Sequence, residues 1–252
     1  MKTVLITGGA SGIGRAFVKQ LSDQGWRVCV ADLNAPALAE LAGDNVITFN
    51  VDVASLEQVK ATIEDILERF DVIDRAIHCA AIMPAGKLAT MPAETTNHLM
   101  AVNYGGTVNV VQTVLANMLA SDAGQLIVFG SSGGSVLVPD CGAYCATKAA
   151  TNAYMEILME ENRSSKVQFM LVCPPLVNTP LLDQAMSSAQ PRMLSDSIAN
   201  QRYMTPEDIV AAVEKGLQKN VKILWPNMEA KILQWLRRFS PRLLWKLIHA
   251  AN

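Results

Sequence analysis

Short apolar runs and longer amphipathic stretches alternate along the chain. The runs at residues 3–7, 28–32, 46–51, 72–78, 125–129, 167–173 and 222–225 are largely uninterrupted by charge. That pattern predicts strands with both faces buried rather than strands with one wet face. Between them lie helical periods. Ile13, Phe17, Val18 and Leu21 share one face of a helix that Gly25 ends. Further helices are predicted over 55–70, where Ser55 and Gln58 form an N-terminal capping signature, and over 206–217, which Pro206 starts. A long helical region runs over 94–119 and is interrupted around Asn103-Tyr104-Gly105-Gly106. Residues 178–204 interrupt the pattern: from Leu181 to Met204 no period is clear, and Met186, Met193 and Met204 punctuate it. So long a stretch predicts a lid or a substrate-binding loop. Strands that alternate with helices predict an α/β protein, a doubly wound Rossmann-type sheet with helices on both faces.

Composition changes this picture little. Half of the 252 residues are apolar and the formal charge is −2, which argues against a nucleic-acid binder. Cys29, Cys79, Cys141, Cys145 and Cys173 form no Cys-x-x-Cys pair and have no histidine cluster beside them, so no metal site is expected. They read as reduced, buried thiols of a cytoplasmic protein. The first apolar segment is too short for a signal-peptide core, and no run is long enough to span a membrane.

Candidate chemistry collects at the C-terminal ends of the predicted strands. The first strand runs into Thr7-Gly8-Gly9-Ala10-Ser11-Gly12-Ile13-Gly14, and the second ends in Asp32. A strand, a glycine turn, a helix and a strand ending in an acid is the unit that holds a dinucleotide. The glycines let the backbone approach a pyrophosphate, and the helix N-terminus offers it free N–H groups. A carboxylate at Asp32 accepts from ribose hydroxyls and repels a 2′-phosphate. Neither Ser11 nor Leu33 supplies a cation for that phosphate, although Arg15 lies just past the last glycine. The expected cofactor is therefore NAD rather than NADP. Asp52, Ala80 and Ser131 fall at other strand ends, and ligands of open parallel sheets bind at such ends.

Tyr144 and Lys148 are four residues apart, one turn along a shared helix face. A phenol loses its proton near pH about 10, and a neighbouring ammonium is expected to lower that value. The pair alone is a common coincidence, and its meaning depends on the company it keeps.

The motifs taken together resemble the short-chain dehydrogenase/reductase family. The match rests on Thr7 to Gly14, Asp52-Val53, Asn103, Ser131, Tyr144-x-x-x-Lys148 and Pro174-Pro175-x-Val177-x-Thr179, and it extends to about residue 225. The resemblance implies a mainly parallel seven-stranded sheet, a nicotinamide cofactor and hydride transfer between an alcohol and a ketone. By that resemblance Tyr144 is the general acid/base, and Lys148 lowers its pKa and holds the nicotinamide ribose. Ser131, thirteen residues before the tyrosine, holds the substrate oxygen. Asn103 anchors a proton-relay water. Gly8, Ser11, Gly12, Ile13, Gly14, Asp32, Asp52, Val53, Ala80, Tyr144, Lys148, Pro174, Val177 and Thr179 are the implied cofactor contacts, and a homodimer or homotetramer is the implied assembly. Two positions depart from the family pattern. Cys79-Ala80-Ala81 stands where Asn-Ala-Gly is usual, and Pro174-Pro175 where Pro-Gly is usual.

Residues 1–226 are thus read as the NAD-binding catalytic domain, with residues 178–204 as its substrate loop. Residues 227–252 are read as a basic amphipathic extension of it. In the extension Lys231, Arg237, Arg238, Arg242 and Lys246 face Glu229 alone. Ile232, Trp235, Leu236 and Phe239 repeat at helical spacing, and Pro241 starts a second helix with Leu244, Trp245, Leu247 and Ile248. An apolar stripe most often faces protein, so a cover over the substrate pocket or a subunit contact is expected. A peripheral contact with an anionic membrane is the other reading. The expected activity is oxidoreduction of an apolar secondary alcohol or ketone. The alternatives are a nicotinamide-binding regulator with weak catalysis and a membrane-peripheral steroid or lipid dehydrogenase.

Overall fold

The computed structural model describes residues 1–250, so the last two residues of the predicted C-terminal extension lie outside the described residues. Seven strands form one sheet: β1 (Thr3–Thr7), β2 (Arg27–Asp32), β3 (Val46–Asn50), β4 (Arg75–His78), β5 (Gln125–Phe129), β6 (Gln168–Val172) and β7 (Ile223–Leu224). All neighbours are parallel and their order is β3-β2-β1-β4-β5-β6-β7. Chain direction across the sheet reverses between β1 and β4, which opens a crevice at the strands' C-terminal ends. The predicted doubly wound sheet is what the chain forms. The strands are trimmed by a residue or more at several ends. The run from residue 72 first makes a turn, with Asp71 at φ 63°, and pairs only from Arg75 onward.

Both faces of the sheet are covered, as its apolar strands require. In β1, Leu5 points into a core with α3 (Leu56–Phe70), α5 (Gly106–Ala120) and α6 (Gly142–Glu161), while Val4 and Ile6 point into a core with α1 (Gly12–Asp23) and α9 (Pro206–Gln218). In β5, Leu126 and Val128 take the first side and Ile127 and Phe129 the second. Side chains alternate across a strand, so each strand must supply two apolar sets.

The ends of the helices follow local chemistry. Ser55 Oγ accepts from the Gln58 N–H at the start of α3, while Gln58 Oε1 accepts from the Asp52 N–H instead of closing a capping box. Thr205 and Asp208 do form a reciprocal capping box ahead of α9. The interruption of the 94–119 region is a π-helical turn, Ala101–Gly105, between α4 (Ala93–Met100) and α5. Such wide turns are frequent at functional sites.

The segment expected to form a lid or substrate-binding loop has regular structure of its own. Residues 178–204 are not a structureless loop: they contain α7 (Pro180–Ser188) and α8 (Arg192–Ala199). Each helix is only about two turns long, so its apolar set is short: Leu181, Leu182, Ala185 and Met186 in α7, then Leu194 and Ile198 in α8. Two turns do not repeat an apolar face often enough to display a period, although Pro180 and Pro191 do mark the starts. The C-terminal extension forms α10 (Met228–Phe239) and α11 (Pro241–Ala250), a pair of helices joined at Ser240.

Candidate active site

Arg15 N donates to Ser11 O, which is the first intrahelical bond of α1. The N–H groups of Gly12, Ile13 and Gly14 precede it, and Ser11 caps none of them with its side chain. All three residues line the crevice. Glycines in the turn are forced by geometry. Gly12 has φ +49°, and a Cβ on Gly8 would lie 2.6 Å from Ala80 N. Small residues after β4 therefore let the glycine turn sit directly against that strand's end. Asp32 steadies the turn from below: Oδ2 accepts from Ala10 N and Oδ1 from Asn34 N, each at 3.0 Å. Leu33 stands exposed beside it, and Arg15 is paired with Glu40 at 3.6 Å on the surface.

Further along the same crevice, β5 delivers Ser131 and α6 delivers Tyr144 and Lys148. Ser131 is fixed at several points. Its Oγ accepts from Gly133 N at 2.9 Å, and its carbonyl accepts from Asn152 Nδ2 at 3.0 Å. Its neighbour Ser132 donates its N–H to Pro174 O at 2.9 Å. Tyr144 and Lys148 are both buried. The expected lowering of the phenol pKa is not what this arrangement produces. Burial pushes Tyr144 above its usual value, and the hydrogen-bonding Ser131 hydroxyl offsets only part of that rise. Lys148 Nζ sits 5.9 Å from the phenol ring centroid and donates to Phe129 O at 2.7 Å. Burial lowers the Lys148 pKa to about 8, with Cys79 and Cys173 acting weakly in the other direction. At neutral pH both the phenol and the ammonium are therefore protonated.

Fourteen predicted contacts line one continuous cavity of about 1260 Å³: Gly8, Ser11, Gly12, Ile13, Gly14, Asp32, Asp52, Val53, Ala80, Tyr144, Lys148, Pro174, Val177 and Thr179. Ser131 lines it too. Asn103 does not. It is fully buried behind the wall, in the π-helical turn, and every polar atom of its side chain is engaged. Oδ1 accepts from Ile82 N at 2.8 Å, and Nδ2 donates to Ile82 O and Thr147 Oγ1. Its carbonyl accepts from Thr107 Oγ1 at 2.6 Å. Thr107 also accepts from His78, whose ring lies between Thr107 and Thr7 at 3.0 and 2.7 Å. Burial and the charge of Lys148 lower the His78 pKa to about 3, so this ring is neutral.

The two departures from the family pattern are accommodated without loss of the crevice. Cys79 N donates to Thr7 O, and its partly buried side chain packs against the apolar core while lining the cavity. Pro174 keeps its carbonyl on Ser132. Residues that sequence reasoning missed are supports. Asn152 clamps Ser131, and Gln184 and Ser188 of α7 accept from the N–H groups of Met83 and Ala85, so α7 is tied to the segment after β4. Asn152 had a signal, since it lies one turn beyond Lys148 on the same helix face. The pairs from α7 had none, because about a hundred residues of chain separate donor from acceptor.

Comparison with known proteins agrees with this geometry. The chain is 33% identical over 192 residues to a 2,5-dichloro-2,5-cyclohexadiene-1,4-diol dehydrogenase of Sphingobium indicum, covering 74% of this chain and 77% of that one. It is 28% identical over 217 residues to D-threitol dehydrogenase of Mycolicibacterium smegmatis, covering 84% of each. Its fold matches a short chain dehydrogenase/reductase of Burkholderia phymatum in complex with NAD, with TM-score 0.85 and 24% identity over 96% of this chain and 94% of that one. The model of the short chain dehydrogenases matches residues 2–190, from the first strand through the serine, tyrosine and lysine to the helix over the pocket, and the chain belongs to that family.

Proposed function

We propose that the protein is an NAD-preferring dehydrogenase/reductase of secondary alcohols and ketones, acting on apolar substrates. One observation carries this reading: the Ser131, Tyr144 and Lys148 side chains meet on the wall of a cavity whose other end is the glycine turn and Asp32. The turn fits a dinucleotide, since its free N–H groups face the cavity and a Cβ at Gly8 or Gly14 would collide with backbone. Gly12, Ile13 and Gly14 would hold the pyrophosphate and Asp32 the adenosine ribose. When bound, the nicotinamide takes or supplies the hydride at the substrate carbon.

The protein's part is the proton. In reduction, the protonated Tyr144 hydroxyl donates to the ketone oxygen as the hydride reaches the carbon, and the product is the alcohol. In oxidation the same proton returns to Tyr144 as the carbon loses hydride and the C=O bond forms. Ser131 orients the oxygen beside Tyr144. Lys148, as a buried cation one turn below, stabilises the tyrosinate that reduction leaves. Asn103 acts behind the wall, by holding the Ile82 segment and the π-helical turn in place. The apolar end of the cavity, with Val136, Met193, Leu233 and Leu244 on its wall, supports a bulky apolar substrate.

The test is a panel of secondary alcohols and ketones followed by absorbance at 340 nm with each cofactor. Tyr144→Phe is expected to lose turnover by about 10²-fold or more while NADH binding, read by fluorescence, persists. Retained turnover in that variant would remove Tyr144 as the acid/base. NADH binding with no turnover of any panel member by the unaltered protein would favour a regulator.

A further inference from the structure

The helices α10 and α11 have more apolar surface than the rest of the chain covers. Ala230, Leu244 and Ile248 are buried, and Leu233, Leu236 and Trp245 are partly buried around Val136. This inward side closes the apolar end of the cavity. A second stripe points the other way. Met228, Ile232, Trp235 and Phe239 are spaced four, three and four residues apart, which returns each to one face of α10. Their exposures are 67%, 59%, 63% and 63%. Leu243 and Leu247 form a matching exposed pair on α11. Trp235 and Phe239 lie against each other with ring centroids 4.4 Å apart, so they form one apolar edge.

Charge says what covers this edge. The segment from residue 227 carries five cations, Lys231, Arg237, Arg238, Arg242 and Lys246, against Glu229, a net of +4. The total is −2, so the rest of the chain carries −6. Among the described residues, none of the five is in an ion pair. Arg238 lies 5.9 Å from the Phe239 ring centroid, so cation and aromatic edge are adjacent. A symmetric contact with a second copy would set like cations, Lys231 and Arg238 among them, against each other along an apolar seam, an arrangement that Coulomb repulsion disfavours. An anionic lipid surface accepts both features at once, the aromatic edge at headgroup depth and the cations among phosphates. No helix of the described residues is long and apolar enough to cross a membrane, so the pair would lie on the surface.

The cavity reaches this same side. Leu247 is half exposed and also lines the cavity that reaches Tyr144. We propose that the α10–α11 pair docks the protein on an anionic membrane and that its substrate is a bilayer-dissolved alcohol or ketone which enters beside Leu247. The docking stands on surface chemistry alone; the substrate class rests on the dehydrogenase reading above.

The full chain is sedimented with phosphatidylcholine vesicles, and with vesicles that also contain phosphatidylglycerol, at low and high salt. Binding to the anionic vesicles alone is expected, weakened about tenfold or more by salt or by Arg238→Glu/Arg242→Glu. Trp235→Ser/Phe239→Ser is expected to abolish it while NADH fluorescence shows the fold intact. Equal pelleting with both vesicle types, or none with either, overturns the docking. So does the same aromatic variant halving the mass by light scattering without any vesicle binding, because the edge is then a subunit contact. Activity separates the two claims. With a water-insoluble secondary alkanol in vesicles, the aromatic variant should lose turnover several-fold, and with a water-soluble secondary alcohol it should not. Equal loss on both overturns access from the bilayer. No turnover of either by the unaltered protein defeats the dehydrogenase reading and with it the substrate class, while the sedimentation result still decides the docking.

Discussion

At the scale of single residues, environment decides more than identity. The Lys148 ammonium was expected to lower the Tyr144 pKa through proximity, yet burial dominates both: it raises the phenol and lowers the ammonium. Asp32 is a clearer case of one side chain with two tasks. It accepts from two backbone N–H groups and still faces the cavity. Asp32→Ala should raise the ratio of NADP to NAD use by about tenfold or more, measured as kcat/KM with each cofactor, because the repulsion of a 2′-phosphate is removed. An unchanged ratio would assign the preference elsewhere. His78 predicts an acid sensitivity. Its folded pKa of about 3 lies below the value of about 6.5 expected in the unfolded chain, so its contribution is complete above about pH 6.5 and fades as pH falls toward 3. Urea midpoints at about pH 7 and about pH 5 should therefore diverge less in His78→Gln than in the unaltered protein. Equal divergence would show that carboxylates alone govern acid unfolding.

At the scale of elements, the site is a set of strand ends and helix starts held by a few side-chain ties. Asn152 on α6 is one such tie, since it holds the backbone of Ser131 at the end of β5. Removing it in Asn152→Ala leaves a buried carbonyl unpaired, a cost of about 1–3 kcal/mol. Urea unfolding should show that loss. If Asn152 only stabilises, kcat stays unchanged; if it also positions Ser131, kcat falls while NADH affinity persists. The helix of Tyr144 and Lys148 was legible because its aromatic and charged residues sit at helical spacing after a strand. The helices α7 and α8 were not, because two-turn helices carry too few apolar positions to show a period. Their order comes from ties to Met83 and Ala85, across a distance in sequence that no local pattern reports.

At the scale of the whole molecule, five free thiols lie within or against the packed interior. Burial pushes Cys29, Cys141 and Cys173 up to about 12, against about 8.5 for an exposed thiol. Raised folded values mean that this stability is present below about pH 8.5 and is lost as pH rises toward 12. In reductant, the urea midpoint should fall between about pH 7 and about pH 10, and Cys29→Ala/Cys173→Ala should fall less steeply. A midpoint independent of pH in that range would contradict the burial of these groups. The same scale shows why the C-terminal helices matter: Leu244 and Ile248 close a cavity that begins at the glycine turn of β1.

The sequence by itself determined the sheet, the glycine turn, the acid after β2 and the identity of the serine, tyrosine and lysine. Each is a local matter: apolar runs demand two covered faces, glycines permit a positive φ and close approach, and a four-residue spacing makes a shared helix face. Tertiary structure alone decided three things. It placed Asn103 behind the cavity wall, where its side chain is spent on Ile82 and Thr147. It turned Lys148 toward Phe129 and left Tyr144 protonated. It also divided the apolar residues of α10 and α11 between an inward and an outward face. All three depend on which surfaces meet across long stretches of chain. Burial, which sets both pKa and exposure, is a property of those meetings rather than of the residues.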